Sequence, residues 1–220
     1  MILTKQKVII EQMTPMLEAY SLLERIGRVC YKSEDKITND SAARFIKSIV
    51  ARNHLSVIEH CIVTIRFIVN RGVSHELVRH RIASFSQEST RFCNYNKQNH
   101  LEFIIPHWLD VKEGVFSYND LIPGSLTPEQ IFLYSLLMAE ETYNALIVGG
   151  KKPEDARDIL PIDVKTEIVM TANLREWLLI CNLRTAKAAH PNMRQVMSMV
   201  LDALQLEYPE IFGMGEADEA

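Results

Sequence analysis

A chain of 220 residues is long enough for one well-packed core, and length alone favours a single domain spanning 1–220 over two. Its hydrophobic share of 47% and charged share of 24% are those of a globular soluble protein. The net charge of −4 excludes bulk, sequence-independent nucleic-acid binding, which needs a basic surface, but leaves room for a local basic pocket.

The opening residues MILTKQKVIIEQ carry no long apolar core or small-residue cleavage site, and no run of 18 uninterrupted apolar residues follows. A cytoplasmic protein without a membrane segment is expected. Within the same stretch, a short β-branched run predicts one edge strand. Thr14-Pro15 opens a helix to about Arg28 with Leu17, Leu22, Leu23 and Ile26 as its core side. A second helix from Asn39 or Asp40 to about Asn53 turns Phe45, Ile46 and Ile49 inward.

Residues 57–69, VIEHCIVTIRFIV, alternate as a strand, with Cys61, Val63, Ile65, Phe67 and Val69 on one face. Asn70-Arg71-Gly72 reads as its turn and Ser74 as a helix cap. Leu77, Val78, Ile82 and Phe85 then form a helical stripe, followed by an irregular loop to Asn99. On such a helix Arg79 and Arg81 stand about 200° apart and address different groups or different subunits.

LEFIIP at 101–106 predicts a strand, and 107–125 a loop with a short helical turn. Thr127-Pro128 starts a helix that Gly149-Gly150 stops after Val148. Pro153 opens a short helix ending at Pro161, and Val164–Met170 is strand-like, with helix as the alternative. Asn173 caps a helix to about Ala189; Pro191 interrupts it, and a last helix runs to Glu207 before an acidic, frayed tail. The four cysteines form no C-x-x-C pair and read as reduced, mostly buried apolar residues, so no metal is expected.

Chemistry concentrates in four places. RHRIASFSQESTR at 79–91 sets three arginines and a histidine among four hydroxyls, a density that suits phosphate oxygens; a solvated basic helix end is the competing reading. His54, Ser56, Glu59 and His60 cluster beside the strand at a spacing that fits no metal motif. Glu154 and Arg157 read, taken alone, as a surface ion pair. Asn173, Arg175, Asn182, Arg184, Lys187, His190 and Arg194 cluster late in the chain. There Arg175 shares a helix face with Asn182, while Arg184 points nearly opposite.

The run Arg79-His80-Arg81, seven residues and Ser89 resembles the signature of the flavin-dependent thymidylate synthases. The HxSxxEH run at 54–60, EDARDILP at 154–161, and NLR at 182–184 followed by KAAHPNMR are similar to further family segments, in family order. The resemblance implies methylation of dUMP to dTMP, with methylenetetrahydrofolate as carbon donor and FAD reduced by NADPH as hydride carrier. It implies an α+β fold of helices around a central antiparallel sheet, in a homotetramer with shared active sites. Neither nucleic acid nor membrane is an expected partner.

By position, the resemblance assigns Glu76, Arg79, Gln87, Ser89, Thr90, Arg91, Arg157 and Arg184 to dUMP. It assigns His54, Ser56, Glu59, Arg79, His80, Arg81, Ile82, Gln87, Asn173, Arg175 and Leu183 to FAD. Arg184, Ser89 and His54 are the implied catalytic residues: Arg184 at the uracil ring, Ser89 in binding and activation, His54 toward folate or transfer. No cysteine lies in the signature, so no cysteine nucleophile is expected. Glu76 and Gln87 depart from the glutamine and glutamate common in the family, and His190-Pro191-Asn192 replaces its more usual run. Two other readings stand beside this one: a nucleotide- or RNA-phosphate-binding module without catalysis, and a flavoprotein of the same fold with altered substrate choice.

Overall fold

The computed structural model describes residues 1–95, 100–124 and 127–213; the acidic tail expected to fray falls almost wholly outside them. In chain order the strands are β1 (Ile2–Thr4), β2 (Lys7–Met13), β3 (Ile62–Asn70), β4 (Ala83–Gln87), β5 (Glu102–Ile104), β6 (Gly114–Val115) and β7 (Lys165–Asn173). The helices are α1 (Met16–Val29), α2 (Ser41–Ala51), α3 (Arg71–Leu77), α4 (Pro128–Val148), α5 (Pro153–Ala156), α6 (Leu174–Thr185), α7 (Pro191–Glu207) and α8 (Pro209–Phe212). One sheet has the order β2-β3-β7-β4 and the other β5-β1-β6, so the α+β class holds.

The opening stretch makes two strands rather than one. Between them Thr4 Oγ1 and the Lys5 N–H both donate to Glu113, at 3.1 and 2.7 Å, and β1 and β2 join different sheets. β1 pairs parallel with β5 and antiparallel with β6, a strand inside the stretch expected to be loop. The short helical turn expected there is the 3-10 turn Tyr118–Asp120, held by a capping box with Ser117.

Alternation gives the right face of β3: Val63, Ile65, Phe67 and Val69 are fully buried. Its start is later than expected, because Leu55–His60 winds into a 3-10 segment that buries Ile58. The end differs too. Asn70 Oδ1 accepts the Val73 N–H at 2.9 Å, so Asn70 caps α3 and Arg71 opens a helix instead of sitting in a turn. Ser74, expected as the cap, instead donates its hydroxyl to the Arg71 carbonyl at 3.1 Å.

The helix expected across Leu77–Phe85 is absent. α3 stops at Leu77, and Ala83, Phe85 and Gln87 alternate half-buried with exposed Ser84 and Ser86 in β4. Pairing with β7 overrides the local helical spacing, which is a non-local gain invisible to the pattern. Arg79 and Arg81 therefore lie in the α3–β4 connection, and their divergence on one helix does not arise.

Leu17 is 77% exposed; the core side of α1 is Ala19, Tyr20, Leu23 and Gly27. A Cβ on Gly27 would stand 2.6 Å from the Phe45 ring, so the bare glycine lets α2 approach. β7 runs on to Asn173, and α6 ends at Thr185, short of the expected Ala189, where the Thr185 hydroxyl donates to the Cys181 carbonyl at 2.8 Å. Only Cys61 and Cys181 are buried; Cys93 is half-buried and Cys30 exposed.

The chain forms two compact units. The first comprises Met1–Lys7, Phe67–Arg79 and Ser86–Ile168; the second comprises Val8–Arg66, His80–Phe85 and Val169–Ala220. In the first, α4 lays Leu133, Leu136, Leu137 and Tyr143 against Leu3, Phe103 and Val164. α4 is also long and apolar enough, by length and composition, to cross a membrane, and only 28% of its apolar window is buried. In the second unit, helices α1, α2, α6, α7 and α8 pack together, and the Tyr20 and Tyr208 rings meet at 6.2 Å. Trp177, fully buried, donates its indole N–H to the Val63 carbonyl at 3.1 Å.

Candidate active site

The first unit holds a cavity of about 320 Å³ whose polar lining is Arg71, His75, Thr90 and Arg157. Arg71 and His75 come from α3, and Arg157 from the 3-10 turn that follows α5. Leu160, Ile162 and Val164 form its apolar wall. Thr90 is buried, and Arg157 donates to its hydroxyl at 3.4 Å. Ser89 Oγ accepts the Arg91 N–H at 3.3 Å while the Ser89 carbonyl accepts the N–H groups of Phe92 and Cys93, so this segment is a tight turn. Arg91 reaches outward, 3.5 Å from Glu154 and over the Phe92 ring.

Beside these, Gln87 is tied into the sheet: its amide donates to Ser74 Oγ at 2.9 Å and to Thr166 Oγ1 at 3.2 Å. Its neighbour Glu88 accepts the Tyr95 hydroxyl at 2.7 Å and lies 3.7 Å from Lys165. Burial, with the Glu88 carboxylate next, pushes the Tyr95 phenol far above its ordinary range, so Tyr95 stays a donor.

Two clefts of the second unit adjoin each other. The larger, about 840 Å³, is lined by four cations, Arg28, Lys36, Arg52 and Arg175, by the Tyr31 and Phe45 rings, and by Asn53, His54 and Ser56. The smaller, about 470 Å³, is lined by Glu59, Ile82, Asn173, Arg175, Leu178 and Asn182 among others. Leu55 and Arg175 line both. Asn173 Oδ1 accepts the Glu176 N–H at 2.9 Å, which starts α6 and brings Arg175 and Asn182 onto one wall, as their spacing requires. Arg175 is held by Glu59 at 2.5 Å.

His80 is buried in the second unit between two groups of α6. Arg184 Nε donates to its Nε2 at 3.0 Å, so Nε2 is the acceptor and the proton of the neutral ring sits on Nδ1, which lies 3.8 Å from Glu176. That separation is not an ion pair. Burial first, and then the Arg184 charge, lower the His80 pKa, while burial raises that of Glu176; both shifts favour the uncharged forms. The linkage has a definite sign. Below the ordinary histidine value of 6.5 the unfolded chain takes up a proton that folded His80 resists, so stability falls with pH through that window and is unaffected above it. His80→Gln is expected to flatten this dependence in thermal melts between about pH 5 and 7. Glu176 acts in the opposite direction but is common to both proteins; identical slopes for wild type and variant would refute the assignment.

The residues implied by the resemblance are thus distributed between the units. Glu76, Arg79, Gln87, Ser89, Thr90, Arg91 and Arg157 lie in the first. His54, Ser56, Glu59, His80, Arg81, Ile82, Asn173, Arg175, Leu183 and Arg184 lie in the second. Thr90 and Arg157 share the first unit's cavity, and His54, Ser56, Glu59, Ile82, Asn173 and Arg175 line the second unit's clefts. Arg79 and Arg81 are exposed, and Leu183, 53% exposed, is outside both cleft linings. Sequence reasoning missed Arg71 and His75 in the first unit and Arg28, Lys36 and Arg52 in the second. The cap at Asn70 would have placed Arg71 and His75 on one helix face, four residues apart.

Comparison with known proteins agrees with these motifs. Residues 10–210 match the family model described as thymidylate synthase complementing protein. The flavin-dependent thymidylate synthase of Geobacter sulfurreducens is 30% identical over 217 residues, covering 94% of this chain and 85% of that protein. The fold is similar to thymidylate synthase X of Helicobacter pylori, solved with FAD and dUMP, at a TM-score of 0.75 and 21% identity over 94% of this chain and 97% of that one. It is equally similar, at a TM-score of 0.75 and 21% identity, to the UMP/dUMP methylase PolB of Streptomyces cacaoi, over 97% and 96% of the two chains. With nearly its whole length matched by the family model, this chain belongs to the flavin-dependent thymidylate synthase family.

Proposed function

We propose that this protein methylates dUMP to dTMP, with methylenetetrahydrofolate as the carbon donor and NADPH as the reductant of a bound FAD. The observation that carries the reading is the donor set of the second unit. Four cations, of which Arg28 is paired with Glu24 and Arg175 with Glu59, and two aromatic rings around a cleft of about 840 Å³ suit a large ligand with a pyrophosphate and flat rings, and FAD is such a ligand. His54, Ser56, Glu59, Asn173 and Arg175 would hold it, with Arg175 oriented by Glu59. When bound, FAD supplies hydride to the pyrimidine.

The protein's own groups then bind and polarise. Thr90 and Arg157 would hold the dUMP phosphate, with Arg91 and Ser89 at the rim. Arg184, oriented through His80, would stabilise electron density on the uracil ring. Ser89 serves in binding and activation. Assembly into a homotetramer with shared sites is part of the same proposal: Ile131, Tyr134 and Met138 leave an apolar stripe exposed on α4, and Leu179 and Leu183 do so on α6. We assign the protein to the cytoplasm on the same footing. A phosphate-binding module without catalysis is the less favoured reading, given the family.

The test is product formation. Purified protein given dUMP, methylenetetrahydrofolate, FAD and NADPH is expected to yield dTMP resolved by chromatography. Release of deoxyuridine alone, or no product while NADPH is consumed, would contradict the reading. Replacing NADPH by NADH in the same assay tests the reductant separately.

A further inference from the structure

We infer that Glu24, which lies outside every segment of the family resemblance, is a positioning residue of the larger cleft: it holds the Arg28 guanidinium in place for a phosphate group of the ligand bound there. The inference rests on the cofactor reading above and adds to it a residue that does not itself line the cleft.

Glu24 and Arg28 stand one turn apart on α1, and Arg28 donates Nε and Nη2 to Glu24 Oε1 at 3.1 and 2.7 Å. An exposed pair at this spacing contributes little. This one is buried, with the Glu24 side chain 2% exposed and that of Arg28 15%. Burial does not make the pair a strong source of stability, because desolvation of both charges offsets their attraction. What the pair does is fix geometry.

The second carboxylate oxygen is committed as well. Glu24 Oε2 accepts the Ser41 hydroxyl at 2.7 Å, and Ser41 Oγ accepts the Thr38 N–H at 2.9 Å, so the carboxylate is tied to the start of α2. Further along α2, the Phe45 ring takes the flat face of the guanidinium, whose carbon lies 4.8 Å from the ring centroid. The bare Gly27 permits that approach, since its Cβ would meet the same ring. Arg28 is thus held along one edge and one face. Its Nη1 has no hydrogen-bond partner among the described residues.

Arg28 lines the cleft of about 840 Å³, and none of the lining residues is acidic. Lys36 and Arg52 line it too, with no carboxylate partner among the described residues. In such a cleft a guanidinium with free donors is a preset fork for phosphate oxygens, as in a pyrophosphate. Fixing it in the free protein removes the entropic cost of ordering a long side chain when the ligand arrives.

Fluorescence titration of the full-length protein, freed of flavin, with FAD and with riboflavin tests this, since riboflavin has the same ring system and no phosphate. Charge alone and positioning predict opposite signs: deleting a negative charge beside a cationic cleft tightens anion binding, whereas releasing Arg28 weakens it. Glu24→Met is expected to weaken FAD binding roughly 5- to 20-fold and leave riboflavin binding unchanged. Tighter or unchanged FAD binding would overturn the inference, and so would an equal loss for both flavins, which would show a role in cleft shape. In an Arg28→Met background the same change is expected to have no further effect; a second loss of similar size would mean that Glu24 does not act through Arg28, and would also overturn it. Should Glu24→Met fail to fold, Glu24→Asp decides: it keeps the charge but withdraws the carboxylate, so a several-fold loss confined to FAD is expected, and unchanged affinity overturns the inference. Wild-type protein that takes up no FAD would sink the cofactor reading and the inference with it, a result distinct from unaltered binding by the variants.

Discussion

Replacing Arg184 with alanine is expected to lower kcat for dTMP formation about 10²- to 10³-fold while leaving the flavin content largely intact. The side chain sits at the last turn of α6, and its Nε is committed to His80. A positive charge fixed in this way costs no reorganisation when electron density moves onto the substrate, which is why its removal acts on kcat more than on KM. Arg184→Lys keeps the charge but loses the planar fork that fits His80, so activity between the two is expected. Chromatographic dTMP assays with flavin absorbance on the same samples decide the matter. Loss of FAD with dUMP affinity intact would instead place Arg184 at the cofactor.

Trp177→Ala is expected to destabilise the second unit by about 3–5 kcal/mol, read as a lower midpoint in urea at unchanged slope. The indole is fully buried, and its N–H satisfies the Val63 carbonyl of β3. Truncation leaves a cavity and removes a donor from the Val63 carbonyl together. Trp177→Phe restores most of the volume and loses mainly the hydrogen bond, so a smaller loss of about 1–2 kcal/mol is expected. A loss below about 1 kcal/mol for the alanine variant would contradict the packing described.

Local signals told the truth where one segment contains its own cause. The Thr127-Pro128 start and Gly149-Gly150 stop of α4, the Asn173 cap of α6 and the alternating face of β3 were all readable from neighbouring residues. β4 was not, because its apolar residues also satisfy a helical spacing and only β7, some eighty positions later, settles the competition. Arg71 was hidden by the same kind of error: Asn-Arg-Gly has the composition of a turn, whereas Asn70 spends its side chain capping α3.

Of the residues at 79–91 read as suiting phosphate oxygens, the structure places Thr90 in one cavity with Arg157. The cations of the large cleft were not legible. Arg28, Lys36 and Arg52 come from separate elements, and each taken alone reads as a solvated surface charge. They gain meaning only when α1 and α2 pack across Gly27.

FAD-dependent turnover of dUMP is tested most directly by an anaerobic absorbance spectrum of the purified protein, recorded before and after NADPH, with and without dUMP. The expected result is an oxidised flavin band that bleaches on reduction, faster when dUMP is present, which ties cofactor, reductant and nucleotide to one reaction. A colourless protein that takes up no added FAD would contradict it.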